Sequence, residues 1–256
     1  VDRAVEAAPA QQQVVERLAT GEFDAVTVVH NETSTGVTSP IRDIAAAIRA
    51  MPGGEDIMIL VDSVSGLAGA RIEMDAWDLD MVLASSQKAF ALPPGIAFCA
   101  VSDRAMAKAK TVPDRGYYFD FISLAKSIAK NQTPATPAVS LLYALNRQLD
   151  DILAEGMDNR FARHIQMRHQ TLQWARHQGF DIFAAAGYES PTVTCVSNNR
   201  EIDISALNKF LRTRGMVISN GYGDLKGKTF RIAHMGDTQP AELETLFAAM
   251  DEFLTA

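Results

Sequence analysis

The chain has 256 residues, 47% of them hydrophobic, a formal net charge of -7 and two cysteines. That is ample apolar sequence for one large domain or a large and a small one, and an acidic balance without any Lys/Arg cluster argues against nucleic acid as a partner. The apolar runs are of strand length and no signal peptide is visible, so no membrane span is expected; Cys99 and Cys195, each inside an apolar stretch, read as reduced core thiols of a cytoplasmic protein.

The opening segment is polar, rich in Ala and Gln, and helical in pattern, with a helix end over residues 14–20 closed by Gly21. The β-branched run Ala25-Val26-Thr27-Val28-Val29 predicts a buried strand. Residues 40–50 predict a helix with Ile41, Ile44, Ala45 and Ile48 on one face, broken by Pro52-Gly53-Gly54. A strand into Asp62, a strand into Ser85 and a third buried strand over residues 96–101 follow. This βαββ pattern fits a mixed sheet covered by helices. Residues 117–130 mix aromatic and polar groups without a clear period. Helices are predicted over 138–154 and over 159–179, the latter ended by Gly179. A strand over 192–196, a helix over 204–215, strands over 216–218 and 229–233 and an amphipathic helix over 240–254 complete an αβαββα ending. The expected organisation is a large domain over residues 1–158, then a linking helix and a small C-terminal domain over 159–256.

Two of these strands end in groups of opposite character, Asp62 and, just beyond Ser85, Lys88. Ligands of open α/β sheets bind outside the carboxyl ends of the strands. An acid and an amine delivered there together point to pyridoxal phosphate chemistry, with the lysine as Schiff-base nucleophile and the acid beside the pyridinium nitrogen. Lys88 follows Ser85-Ser86-Gln87 and precedes Pro93-Pro94-Gly95; a semi-buried lysine there loses solvation, its pKa falls, and the free amine serves as nucleophile and base. Asp62 reads either as the buried partner of that cation or as the cap of a turn toward Gly66. Thr33, in His30-Asn31-Glu32-Thr33-Ser34-Thr35-Gly36, reads by itself as turn chemistry. Arg231 stands mid-strand between Phe230 and Ile232, where a guanidinium is costly unless it has a task; its fork matches a carboxylate, and the alternative is an edge-strand arginine facing water. Residues 223–229 resemble a phosphate loop, but the spacing is one residue short and a strand follows; His164 and His169 are five apart, which does not suit a helical metal pair.

The motifs HNETSTGV, VDSVSGLAG, SSQKAF followed by LPPG, TPATPAV and FRIAHMGD stand in an order that resembles the class V aminotransferases, closest to the alanine–glyoxylate and serine–glyoxylate (serine–pyruvate) group, from about Phe23 to the C-terminus. The resemblance implies an α/β fold, the PLP-dependent transferase fold type I: a mainly parallel sheet with flanking helices, plus a small C-terminal α/β domain. It implies pyridoxal 5'-phosphate as cofactor, small amino-acid and 2-keto-acid substrates, and a homodimer with the active site at its interface. Carried over residue by residue, it implies Lys88 as the Schiff-base lysine and proton carrier, Asp62 at the pyridinium, Val64 on the ring face, and Thr33 at the 3′-oxygen. It further implies Gln87 and Thr136 at the phosphate, Thr136 reaching it from the second subunit, and Arg231 on the substrate carboxylate. Thr133 occupies a place where some members carry a tyrosine. Members also carry an earlier N-terminal portion with a Gly/Ser phosphate loop and a stacking aromatic, so an N-terminally truncated piece is expected, one that binds the cofactor weakly when alone. The expected reaction moves an amino group from alanine or serine to glyoxylate or pyruvate. Two alternatives are a cysteine desulfurase, which needs a nucleophilic cysteine on a mobile loop rather than the strand positions of Cys99 and Cys195, and an inactive remnant of the fold.

Overall fold

The computed structural model describes residues 11–21 and 23–255; the helical reading of the residues before Gln11 lies outside them. Helix α1 (Gln11–Leu18) leads into β1 (Ala25–Val29), a short hairpin of β2 (Asn31–Glu32) and β3 (Val37–Thr38), helix α2 (Ile41–Ala50), and strands β4 (Met58–Asp62), β5 (Met81–Ser85) and β6 (Ala97–Val101). The first sheet has the order β1-β4-β5-β6. β1 and β5 flank β4 in parallel, and β6 returns antiparallel to β5. The apolar stripe of α2 packs on the inner strands: Ile41, Ile44, Ala45 and Ile48 are all buried and share one core with Ile59, Val61 and Val82. Each such side chain taken from water stabilises the fold by roughly 1.5–3 kcal/mol.

Helices α3 (Asp103–Thr111) and α4 (Phe121–Ile128) follow, then the long α5 (Val139–Glu155) and α6 (Met157–His177). Asp120 caps α4 by accepting from the Ile122 N–H at 3.1 Å. Gly156, at φ 81°, separates α5 from α6 in a conformation that favours glycine. The chain closes with β7 (Val193–Ser197), α7 (Ile204–Arg212), β8 (Ser219–Asn220), β9 (Thr229–Ala233) and α8 (Pro240–Thr255). β9 lies between β7 and β8 in an antiparallel three-stranded sheet. Its core joins Phe230 and Ile232 to Met167, Trp174, Leu207, Leu211 and Met250 from the helices, and Trp174 stacks on Phe247 with ring centres 4.9 Å apart.

Several expectations need correction. The run Ala25–Val29 is a strand, but only Val28 of it is buried. Residues 97–101 likewise contain no buried side chain, and Cys99 is exposed rather than a core thiol, while Cys195 is buried as expected. Both strands stand at the edges of the four-stranded sheet. β-branched and apolar composition specifies the extended chain, whereas burial on both faces depends on the strand's place in the sheet. The strand expected over 216–218 is displaced: those residues carry no regular structure, and pairing begins at Ser219. The unclear stretch after Tyr117 contains α4, and α3, capped by the Ser102 hydroxyl, has a polar surface without the apolar stripe that would announce it.

Candidate active site

The parallel pairing of β4 with β5 places Asp62 opposite Leu83, so the turns leaving both strands emerge on the same edge of the sheet. Lys88 lies three residues beyond β5 and is half-buried. Its amine makes no hydrogen bond or ion pair among the described residues. Burial pulls its pKa below the ordinary lysine value, the charge of Arg231 pulls it further, and Glu32 opposes both. The charges of the middle of β9 and of the β2–β3 hairpin therefore both act on this amine.

The hairpin is held to the small sheet by backbone contact. Gly36, at φ 65°, lies so close to β7 that a Cβ there would stand 2.7 Å from the Cys195 nitrogen, and its carbonyl accepts from the Ser190 N–H at 2.8 Å. Inside the hairpin, Glu32 Oε1 accepts from the Ser34 N–H at 2.8 Å and the Ser34 hydroxyl at 2.7 Å. The Thr33 hydroxyl pairs with the Ser65 hydroxyl, and its carbonyl accepts from Arg231 Nη1 at 3.1 Å. Arg231 also donates from Nε to the Asn220 carbonyl at 3.1 Å, and the Tyr222 ring centre is 5.9 Å from its guanidinium carbon. Nη2 makes no hydrogen bond among the described residues. The edge-strand alternative fails, because β9 is the middle strand and Arg231 faces Cys195 and Ser219 on its two neighbours.

Asp62 departs from expectation in its surroundings. It is exposed at the end of β4, and its Oδ1 accepts from the Val64 N–H at 2.9 Å, which is the turn-capping contact. The other carboxylate oxygen is unbonded among the described residues, so capping and pairing with a cation are compatible. Val64 is half-buried in that turn, whereas Gln87 is exposed. Thr136 is exposed between α4 and α5, and no hydrogen bond among the described residues ties it to the others. Residues 223–225 form one 3-10 turn before β9, without the helix a phosphate loop requires, and no cluster of metal-ligating side chains occurs among the described residues.

Sequence reading missed a buried polar layer beneath these turns. His30 Nδ1 pairs with the Ser63 hydroxyl at 2.9 Å, and His234 Nε2 with the Thr194 hydroxyl at 2.8 Å. His164 Nδ1 donates to the Arg160 carbonyl at 2.7 Å, and its Nε2 accepts from the Gly236 N–H at 3.1 Å. Burial pushes His30 and His164 down to about 4 and His234 down to about 3. At the opposite end of β5, Asp80 is fully buried and receives the Ile59 N–H, Arg49, Arg104 and the Ser102 hydroxyl. The only advance signal was an acid placed just before an apolar strand.

These residues fit a phosphorylated pyridine aldehyde. The amine is unbonded among the described residues and its pKa is lowered by burial and by the charge of Arg231, and a carboxylate with one unbonded oxygen stands at the end of the adjacent strand. Ser85 Oγ, three residues before Lys88, is buried without a hydrogen-bond partner. Fold and site together define an α/β protein with a carboxylate and a half-buried lysine beyond the ends of adjacent parallel strands.

Comparison with known proteins narrows this class. Residues 6–225 match the family Aminotransferase class-V. The chain is 37% identical over 233 residues to an uncharacterized aminotransferase of Methanocaldococcus jannaschii, covering 90% of this chain and 60% of the relative. It is 33% identical over 229 residues to a serine–glyoxylate aminotransferase of Methylorubrum extorquens, covering 87% and 56%. An alanine–glyoxylate aminotransferase from Nostoc sp. superposes with a TM-score of 0.89 at 27% identity, covering 97% of this chain and 66% of that one. The chain belongs to the class V aminotransferases, and its fold is the fold type I of the PLP-dependent transferases. It spans 56–60% of the length of these two curated relatives.

Proposed function

We propose that this chain carries the catalytic centre of a PLP-dependent aminotransferase that moves an amino group from alanine or serine to glyoxylate or pyruvate. One observation carries the reading: the half-buried, unbonded amine of Lys88 stands in the field of Arg231, whose Nη2 is free. An amine base beside a carboxylate-binding fork is the minimum needed to act at the α-carbon of an amino acid. The names of the serine–glyoxylate and alanine–glyoxylate relatives support the substrate class.

In this reading Asp62 would hold the proton on the ring nitrogen, Val64 would pack on the ring, Thr33 would serve the 3′-oxygen, and Gln87 and Thr136 would hold the phosphate. When bound, pyridoxal 5'-phosphate supplies an electron sink for the pair left on the substrate α-carbon. Arg231 orients the substrate through its carboxylate, so that the α-hydrogen points at Lys88. Lys88 Nζ, depressed by burial and by the Arg231 charge, takes that proton. Glu32 limits the depression, and its own position is set by the two bonds from Ser34.

The proposal includes a homodimer, with Thr136 serving the neighbouring site. Tyr117, Tyr118, Phe119, Ile128, Tyr143 and Leu153 are exposed around α4 and α5, an unusually apolar surface next to Thr136 in sequence. It keeps the division at residues 158 and 159, supported by two separate apolar cores. It keeps a cytoplasmic location too, supported by two free thiols; no helix among the described residues is long and apolar enough to cross a membrane. The desulfurase alternative is not favoured: Cys99 and Cys195 both lie in paired strands rather than on a loop, and burial pushes the Cys195 thiol up, away from the thiolate a nucleophile needs.

The test is titration of pyridoxal 5'-phosphate into the full protein, followed by addition of alanine, serine or cysteine. A visible absorption band that bleaches with alanine or serine and returns with glyoxylate or pyruvate is expected. No band, or sulfide release from cysteine, overturns the reading.

A further inference from the structure

Arg160, on the first turn of α6, is the largest fully buried side chain of the described residues. A buried guanidinium persists only where its donors are met, and the partners of this one come from four different segments. Nε donates to the Ala68 carbonyl at 3.0 Å, in the turn that begins with Asp62. Nη2 donates to the Ala89 carbonyl at 2.7 Å, in the peptide immediately after Lys88. Nη1 meets Glu155 at the end of α5 at 2.7 Å, and Nη2 also meets Asp237, just beyond β9, at 3.2 Å.

The loop after β9 closes the same assembly from the other side. Gly236, at φ 73°, packs so closely that a Cβ there would stand 3.0 Å from the Ala91 Cβ and 3.5 Å from the Lys88 carbonyl oxygen. His164 accepts from the Gly236 N–H, and Arg163 donates to the Gly236 carbonyl at 3.0 Å. Ala68 and Ala91 themselves sit at φ 70° and 55°, in the left-handed region that alanine rarely adopts. Turns of this shape persist where surrounding contacts over-determine them. One buried side chain thus grips the turn after Asp62, the turn of Lys88 and the exit of the strand that bears Arg231.

We propose that Arg160 is a positioning residue: by bonding the Ala68 and Ala89 carbonyls and the Glu155 and Asp237 carboxylates, it sets the place of the Lys88 amine relative to Asp62 and Arg231. The inference rests on the aminotransferase reading for its consequence in catalysis, and on geometry alone for its consequence at Lys88. Displacing a reacting group by about 1 Å costs on the order of a hundredfold in rate.

The experiment separates the two. In the full protein freed of cofactor, the Lys88 amine is titrated by pH-dependent acetylation with acetic anhydride, read at that residue by peptide mass spectrometry. The charged groups facing the amine are Arg231 and Glu32. The parent is compared with Arg160→Met, with Arg160→Lys, which keeps a charge near Glu155 but cannot reach both carbonyls, and with Arg104→Gln, which loosens the distant Asp80 cluster. Both Arg160 variants are expected to move the Lys88 titration toward that of a free lysine, to weaken pyridoxal 5'-phosphate binding, and to lower kcat by at least about tenfold. Arg104→Gln is expected to lower the Tm and leave the titration where it was. If Arg160→Met does not fold, Arg160→Lys decides. A Lys88 titration unchanged in the Arg160 variants, or shifted equally by Arg104→Gln, overturns the proposal. A shifted titration in a protein that never transaminates would overturn the aminotransferase reading and leave the positioning role standing.

Discussion

Arg231 bonds two backbone carbonyls, those of Asn220 and Thr33, and keeps one nitrogen free. That arrangement fixes the plane of the guanidinium before any ligand arrives. A lysine at this position keeps the charge but has neither the plane nor a second donor nitrogen in a fixed fork. Arg231→Lys is predicted to raise KM for the amino acid and the keto acid together by roughly ten- to a hundredfold, about 1.5–3 kcal/mol for a lost charge-assisted bond. Unchanged steady-state kinetics with both substrates would remove the arginine from the site. Lys88→Ala is predicted to abolish the visible band of the bound cofactor and turnover with it, because Lys88 is the amine that burial at the strand ends draws toward its neutral form. Asp62→Asn removes a positioned charge and is predicted to cost on the order of 10²–10³ in rate. Since Asp62 is exposed and also caps its turn, full activity in that variant would leave it with the capping role alone.

At the scale of the element, β5 is anchored at one end and leads at the other into the turn that bears the proposed catalytic lysine. Asp80 stands just before it, with no side-chain exposure, and takes charged bonds from Arg49 and Arg104 at 2.7 Å each. Burial by itself would raise the Asp80 pKa; the bonds from Arg104, the Ile59 N–H, Arg49 and Ser102 outweigh it and hold the carboxyl below its ordinary value. A depressed carboxylate contributes stability that is present above its unfolded value and is lost as the pH falls through its folded value. Asp80→Ala would take from the nearly buried Arg49 its one buried carboxylate partner, leaving it the exposed Asp78. It is predicted to destabilise the protein by about 3 kcal/mol, measured by urea unfolding at neutral pH, with a smaller difference from the parent at acid pH, below the ordinary carboxylate range. Equal stability of parent and variant at neutral pH would show that Arg49 finds compensation at the Asp78, Gly54 and Ile57 carbonyls it already contacts.

For the whole molecule, the buried histidines dominate the response to acid. His30, His164 and His234 lie beneath the site turns and are depressed by burial to about 4, about 4 and about 3, against 6.5 when free. They are neutral in the folded protein at neutral pH, and the unfolded chain takes up their protons first as the pH falls. Their contribution is therefore complete above the free value and declines progressively toward the folded values; every pH unit separating the free from the folded value corresponds to about 1.4 kcal/mol. A Tm nearly constant between about pH 8 and 7 and falling steeply below about 6.5 is predicted. His234→Gln, which can keep a hydrogen bond to Thr194, should flatten that fall. A Tm independent of pH from about 7 to 5 would contradict this account.

The amino-acid sequence by itself determined the local elements and singled out the candidate residues on which the proposed function rests. The 3.6-residue stripe of residues 41–48, the β-branched run of 25–29 and the strand over 229–233 are all present, because periodicity and side-chain shape act within a few residues. The placing of Asp62 and of the turn bearing Lys88 at the ends of adjacent parallel strands was legible from the two apolar runs, and the motif order was enough to point to the family. Only the tertiary structure decided what depends on contacts between segments far apart in the chain. It put β1 and β6 at sheet edges and so exposed Cys99, left Asp62 in the open, and inserted Arg231 into a central strand facing the Thr33 carbonyl 198 residues away. It also brought Arg160 to Ala68 and Ala89, 92 and 71 residues distant. A charged residue in a helix is ordinarily a surface residue, and nothing local distinguishes one that faces solvent from one whose three nitrogens all bond carbonyls and carboxylates, most of them in remote turns.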